Sequence, residues 1–475
     1  MGATPLESSM TAPVSFRAAA RYWLQLGFTS FGGPAGQVAT IYSELVERRR
    51  WLSERRYLHA LNYCMLLPGP EATQLATYIG WLMHGTWGGL VAGALFVLPG
   101  VAVLIGLSTI YVLWGQLPLL AAVFWALKPA VVAIVLQAAW RVGSRTLHTP
   151  ALRLIALAAF LGLSLLKLPY PLIVATAALS GALLGHWRPA LITKPGGSGH
   201  GGQGGGGAAV QAAEAAPAAA PSSAPAPALH DDHTPTPAHG RFSRRSLAVT
   251  LLVSGLALGL PLALLSWADG WDGVLATMAR FFTKVALLSF GGAYAVLPYV
   301  AQGAVENYGW LSAAQMVDGL ALGETTPGPL ILVVAFVGFL GGWQGSVLGL
   351  EPGSWWAAAA AALTVVWFTF LPSFSFILAG APLVEASRND LRLGAPLTAI
   401  TAAVVGVIAT LALLFTGPVL WPQAGAGLDW GALAILLLSA LALLRWRWRV
   451  MPLIGAAAAV GAARWLLGLG LALLG

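Results

Sequence analysis

Two phrases recur along this chain at one fixed separation. Ser30-Phe31-Gly32-Gly33 followed by Pro68-Gly69-Pro70 returns as Ser289-Phe290-Gly291-Gly292 followed by Pro327-Gly328-Pro329, each 259 positions on. The same register aligns Glu47 with Glu306 and Trp51-Leu52-Ser53 with Trp310-Leu311-Ser312, so the match is a duplication rather than chance glycine content. A repeat of this length set in apolar sequence is the signature of a transporter core.

The setting is a membrane. Of 475 residues, 58% are hydrophobic and only 9% charged, outside the range of soluble domains. The fold expected is all-α and polytopic. Cys64 is the single cysteine, which excludes internal disulfides and a multi-cysteine metal cluster and reads as a buried free thiol. No basic stretch precedes a short apolar run and cleavage site, so no cleaved signal peptide is expected. The net charge of +8 comes from arginines in short loops beside apolar segments, where orientation in the bilayer explains them and nucleic acid does not.

Residues 1–187 form the first repeat, 188–246 a linker and 247–475 the second repeat. The linker is rich in Gly, Ala, Pro and His, without apolar periodicity, and reads as flexible. Its His230-Asp231-Asp232-His233 run has metal-binding side chains, but a solvated tract is expected, with no metal and no cofactor. Apolar segments fall near 18–46, 57–83, 86–113, 117–140, 151–168 and 169–187, then near 247–266, 279–303, 313–341, 355–379, 395–417, 430–445 and 450–474. Each is near the length needed to span or dip into hydrocarbon. The segment at 247–266 has no partner in the first copy, so its insertion flips the second copy relative to the first.

Simple alternation of these thirteen segments places Arg17 and Arg21, Arg141, Arg145 and Arg153, Arg188 with Arg241, Arg244 and Arg245, Arg388 and Arg392, and Arg445, Arg447 and Arg449 on one side, the cytoplasm. The N-terminus and linker are then cytoplasmic. Arg48, Arg49, Arg50, Arg55 and Arg56 break the pattern, and the loop around Glu306 breaks it in reverse. Both conflicts vanish if the Ser-Phe-Gly-Gly and Pro-Gly-Pro segments are re-entrant hairpins. Thirteen full spans is the simpler alternative.

Gly32-Gly33-Pro34 and Pro68-Gly69-Pro70 interrupt helices at membrane depth, which is tolerated only against protein or a watery cavity. Pro34, Pro70 and Pro329 suit the first position of a new half-helix, which would aim free N–H groups and a positive dipole end at the midplane. Ser30, Gly32, Gly33, Gly69, Thr73 and Gln74 in the first copy, and Ser289, Gly291, Gly292, Thr325, Thr326 and Gly328 in the second, are therefore the candidate binding residues for a tetrahedral oxyanion. Small residues also permit tight helix packing, but packing does not ask for Pro-Gly-Pro to recur in register. Lys284 is the candidate for compensating the substrate's charge, and Lys128 is a second costly intramembrane cation. Glu71 and Glu324 flank the two Pro-Gly-Pro turns and are the candidate proton carriers. No phosphate loop, nucleophile motif or metal-ligand spacing points to an enzyme.

The runs Phe28-Thr29-Ser30-Phe31-Gly32-Gly33-Pro34-Ala35-Gly36-Gln37, Glu47-Arg48-Arg49-Arg50-Trp51-Leu52-Ser53 and Leu67-Pro68-Gly69-Pro70-Glu71-Ala72-Thr73-Gln74-Leu75, with Lys284, Ser289-Phe290-Gly291-Gly292 and Thr326-Pro327-Gly328-Pro329, resemble the chromate ion transporter family. The resemblance covers both halves apart from the linker and the first dozen residues. It implies a two-domain exporter of chromate in a bacterial inner membrane, with oppositely oriented halves, driven by the proton motive force and conferring chromate resistance. Sulfate has nearly the shape and charge of chromate, so a carrier of sulfate or another oxyanion is the alternative. From other classes, a lipid-phosphate enzyme and a channel compete. A homodimer is compatible with the sequence, which does not specify oligomeric state.

Overall fold

The computed structural model describes residues 14–188, 191, 229–230, 238–386, 394–422 and 427–474, and among them the regular structure is helical. The first copy runs α1 (Phe16–Thr29), α2 (Gly33–Tyr42), α3 (Glu54–Leu66), α4 (Glu71–Trp114), α5 (Pro118–Thr146), α6 (Pro150–Ser164) and α7 (Tyr170–Trp187). After α8 (Arg244–Asp269), the series returns as α9 (Val274–Leu288), α10 (Ala293–Ala301), α11 (Ala313–Thr325), α12 (Val333–Gln344), α13 (Trp355–Ala386), α14 (Gly394–Leu420), α15 (Trp430–Leu444) and α16 (Val450–Leu474). Both ends of α3 and α11 obey the sequence register, and so do the π-helical turns Ser43–Arg48 and Gln302–Asn307. The sequence repeat is a structural one.

α1 has 14 residues, about 21 Å of helix, too short for about 30 Å of hydrocarbon. The chain turns at Gly32 and comes back. Tyr22, in the middle of α1, has its ring 5.3 Å from that of Trp51, and the Arg49 guanidinium lies over both. Residues so far from the tip on either side meet only in a hairpin. The second hairpin closes in the same way: α3 enters, Leu67 to Pro70 turn, and the first arm of α4 returns to His84. There the His84 Nε2 is 2.9 Å from the Val14 carbonyl oxygen and its ring packs edge-on against Phe16. At His84 and Gly85 the backbone leaves helical geometry, and the second arm of α4 crosses.

The second copy repeats both closures. Phe281 packs on Tyr308 and Trp310, and Gly341 and Gly345, at the end of α12, lie against Met278, Trp310 and Val274. Four of the thirteen expected segments are thus re-entrant hairpins. Of the other nine, seven are long and apolar enough to cross, and α6 and α15 are shorter apolar helices of 15 residues.

Opposed orientation of the copies is visible where α4 meets α13. Gly89 faces Leu378, Gly93 faces Phe374, and Trp355 Nε1 donates to Thr109 Oγ1 at 2.9 Å, so the two equivalent helices run antiparallel. α8 supplies the extra crossing this requires. None of its residues is buried, as suits an apolar helix facing lipid.

The halves also interlock. α5 of the first packs against α15 and α16 of the second, α14 of the second against α6 and α7 of the first, and α5 against α14. Close approach depends on small residues: a Cβ on Gly406 would collide with the Ala156 carbonyl oxygen, and one on Gly461 with that of Ala122. The linker, expected to be wholly flexible, is partly docked. His230 N–H donates to the Trp51 carbonyl and Ser53 N–H to that of His230, both at 3.0 Å, because the loop 50–53 leaves backbone groups to be paired. Burial, with Arg56 nearby, pushes the His230 imidazole down to about 4. Asp231, Asp232 and His233, like Arg388 and Arg392, lie outside the described residues.

In a Cys64→Ser background, a cysteine introduced as Arg48→Cys will react with a membrane-impermeant thiol reagent from one face only, and one introduced as Glu306→Cys from the opposite face only. Gly406→Val will lower the detergent unfolding temperature, since overpacking costs about 1–3 kcal/mol.

Candidate functional site

The tips of the four hairpins meet at the centre of the molecule. Gly69 N–H donates to the Ser289 carbonyl oxygen at 2.8 Å, and Gly328 N–H to the Ser30 carbonyl oxygen at 2.8 Å. Each Pro-Gly-Pro tip is therefore bonded to the Ser-Phe-Gly-Gly tip of the other copy. Gly32, Gly33, Gly69, Gly291, Gly292 and Gly328 all have positive φ, a region where a Cβ costs about 1–2 kcal/mol.

The Pro-Gly-Pro turns are buried and backed by a motif that sequence reading missed. Gly100, in Leu98-Pro99-Gly100, sits where a Cβ would strike the Pro327 carbonyl, and Ser373, in Leu371-Pro372-Ser373, occupies the matching place against Gly69. These motifs are also copies, but 273 positions apart. Extra residues between α12 and α13 move the second one out of the 259 register.

Around the tips, buried side chains hold unpartnered polar atoms: Ser30 Oγ, Gln37 Oε1, Thr73 Oγ1, Gln74 Oε1, Ser289 Oγ and Ser373 Oγ. The amides are oriented by their nitrogens, Gln37 Nε2 donating to the Gly328 carbonyl at 2.5 Å and Gln74 Nε2 to that of Pro68 at 2.8 Å. Buried polar atoms in folded proteins are normally paired, so this concentration marks a place built for a polar ligand. Thr326 differs from Thr73, because its hydroxyl donates to the Leu322 carbonyl of its own helix.

Helix ends point the same way. α1, α3, α6, α11 and α15 are capped by the side chains of Ser15, Ser53, Thr149, Ser312 and Asp429. The helices that start at the tips, α2, α10, α4 and the 3-10 turn Leu330–Leu332, have no side-chain cap, and neither do α5, α7, α8 and α9. The first N–H groups and positive dipole ends of the tip helices have no side-chain cap and face the junction. At Gly32, Gly33 and Gly292 nothing lies within 4 Å of where a Cβ would be, so the backbone is open to close approach. One expectation is corrected: Pro70 and Pro329 are the residues just before their helices, whereas Pro34 is inside the first turn of α2.

Charged groups are arranged around this centre rather than in it. Glu71 opens α4 beside its turn, and Glu324 accepts a hydrogen bond from Tyr294 Oη at 2.5 Å. Lys284 is not among the tips. It lies exposed on α9, lining an outer pocket of about 450 Å³ with Arg280, Phe281, Tyr308 and Trp310. Lys128 has a partner the sequence did not name, Asp318, at 3.3 Å. A second acid, beside Glu324, inside an apolar hairpin was the available signal for Asp318. Glu47 and Glu306 are exposed in the π-helical turns.

The sequence profile of the family described as Chromate transporter matches residues 18–182 and 276–462. The chain belongs to the chromate transporter family. The matched stretches contain all four hairpins, the two Leu-Pro motifs and every residue of the polar junction. Among curated relatives, the Chromate transport protein of Pseudomonas aeruginosa is 30% identical over 83% of this chain and 80% of its own length. The Chromate transport protein of Cupriavidus metallidurans is 28% identical over 85% and 84%, and the Probable chromate transport protein of Synechococcus elongatus 27% identical over 83% of each. No solved structure matches. Membership makes the chain a multi-pass membrane transporter, and the inverted hairpins are how this chromate transporter family member builds its centre.

Ser30→Ala, Ser289→Ala and Thr73→Val each remove an unpartnered buried oxygen. Each will weaken oxyanion binding about 10- to 100-fold, the equivalent of a hydrogen bond to a charged group of about 1.5–3 kcal/mol, while the ligand-free protein unfolds at an unchanged or higher temperature. Binding titrations paired with thermal melts check both halves of this statement.

Proposed function

We propose that the junction of the four tips is the substrate site of a secondary active exporter of chromate in a bacterial inner membrane, with the N-terminus and linker on the cytoplasmic side. The observation that carries this reading is the set of half-helix N-termini without side-chain caps, ringed by the unpartnered hydroxyls of Ser30, Thr73, Ser289 and Ser373. Hydroxyls and N–H groups donate hydrogen bonds to a tetrahedral dianion on several sides, and the positive φ of the glycines lets it reach the backbone.

Energy for export comes from the proton motive force. A dianion leaving toward a positive exterior gains about 2.3 kcal/mol per charge per 100 mV, and Glu71 and Glu324, one beside each Pro-Gly-Pro turn, are the groups that exchange protons with it. Lowering cytoplasmic chromate in this way confers resistance. Lys284 serves the same reaction from the outer pocket, where Asp272 stands 3.8 Å from Arg280 and the lysine supplies the net positive charge that raises the local concentration of a departing or competing anion. A sulfate carrier is the second reading, because every donor in the junction serves either tetrahedral dianion equally.

Everted vesicles energised by respiration will accumulate labelled chromate, and collapse of the membrane potential will abolish the accumulation. Absence of energised uptake overturns the exporter. Equal displacement by sulfate and chromate at matched concentrations replaces chromate with the broader oxyanion substrate. Lys284→Ala will weaken inhibition of export by anion on the Tyr308–Trp310 side several-fold, by about one screened surface charge, and leave the KM for cytoplasmic substrate and the maximal rate nearly unchanged.

A further inference from the structure

Two ion pairs cross between the halves, one toward each face: Arg56–Glu385 is buried on both sides, and Lys128–Asp318 has a buried carboxylate and a lysine 25% exposed. Toward the face where Val14, His84 and the loop 50–53 gather, Arg56 near the start of α3 holds Glu385 near the end of α13. The Nη2–Oε2 distance is 3.1 Å, and Tyr78 Oη donates to Glu385 Oε1 at 2.5 Å. Toward the face where Val274, Tyr308 and Trp310 gather, Asp318 of α11 holds Lys128 of α5 at 3.3 Å, and Tyr111 Oη donates to the same carboxylate at 2.9 Å. Arg56, Glu385 and Asp318 side chains are no more than 6% exposed.

The two arrangements are alike in plan and unrelated in sequence. Each ties the entering arm of a Pro-Gly-Pro hairpin to a crossing helix of the opposite half, and each carboxylate accepts a tyrosine of α4. Yet the repeat register puts Gln315 opposite Arg56 and His59 opposite Asp318. The charges stand on different partners and with reversed sign, so duplication did not copy them. A buried ion pair adds little net stability, because desolvation offsets attraction. It is well suited to a contact that must open, since water entering the gap resolvates both ions as the pair parts, which it does not do for separated apolar surfaces.

We propose that Arg56–Glu385 and Lys128–Asp318 are the two gates of the transport cycle, that each blocks the route from the central junction to one face, and that this structure, with both formed, is the occluded state. The inference rests on the junction being the site of an alternating-access carrier. Parting Arg56 from Glu385 frees α3 from α13 and presents the Arg56 guanidinium to an anion entering from the side of loop 50–53. Parting Asp318 from Lys128 frees α11 from α5 and opens the other side, with Lys128 facing the passage.

The test reads accessibility and needs no chromate, so it stands apart from the identity of the substrate. In a Cys64→Ser background, Ser30→Cys places a reporter thiol at the junction, and an impermeant thiol reagent is applied to right-side-out and to inverted vesicles. Expected are slow labelling from both sides in the parent and about tenfold faster labelling from the loop 50–53 side alone with Glu385→Gln or Tyr78→Phe. Asp318→Asn or Tyr111→Phe will accelerate labelling from the opposite side alone. Arg56→Glu combined with Glu385→Arg will return labelling to the parent rate. Acceleration from both sides alike, or no change with either tyrosine variant, overturns the gates. The tyrosine variants decide the matter if a charge variant fails to fold.

Discussion

Everything at the centre of this protein depends on two backbone hydrogen bonds, Gly69 N–H to the Ser289 carbonyl and Gly328 N–H to that of Ser30. A helix broken inside a membrane exposes N–H and C=O groups that lipid does not satisfy, at several kcal/mol each. Here each copy completes the other: the Pro-Gly-Pro tip donates what the opposing Ser-Phe-Gly-Gly tip must accept. Bonds within a copy, such as Gln74 Nε2 to the Pro68 carbonyl, brace each turn, but the Gly69 and Gly328 N–H groups are satisfied across the copies. Glycine follows from the same constraint, since the donating residue turns at positive φ with Ser373 pressed against Gly69 and Gly100 against the Pro327 turn.

Satisfying the tips in this way leaves other groups over. Once the carbonyls of Ser30 and Ser289 are used, their hydroxyls remain unpartnered, and so do the amide oxygens of Gln37 and Gln74, whose nitrogens brace the turns. The half-helix N-termini beside them are not capped. On the proposed reading, a dianion supplies acceptors for the hydroxyls and the free N–H groups together, and the low local dielectric strengthens those bonds. The cations are kept at a distance. Arg56 with Glu385 and Lys128 with Asp318 are paired between the copies, and Lys284 sits in an outer pocket.

The repeat itself, the membrane setting, the arginine asymmetry and the breaks at Gly32-Gly33 and Pro68 to Pro70 were legible in the sequence because they are local or periodic. Even re-entrance could be argued from Arg48 to Arg56, since charge reports which side a loop occupies. Leu98-Pro99-Gly100 and Leu371-Pro372-Ser373 were not legible as copies, because the loop between α12 and α13 shifts their register. Gln37 stood in plain view within the glycine-rich run, but nothing local says that its amide would brace the opposite copy at Gly328.

Sequence by itself determined that this chain is a duplicated, inverted, helical membrane protein with broken helices, and which family it resembles. Tertiary structure decided which broken end faces which, that Lys284 stands apart from the junction, that Lys128 belongs with Asp318 and Arg56 with Glu385, and that Ser373 rather than a glycine backs Gly69. The reason is distance along the chain. Burial and turn preference act on neighbours, whereas Ser30 and Gly328, or Arg56 and Glu385, are roughly 300 residues apart and are joined only when two hairpins entering from opposite faces meet.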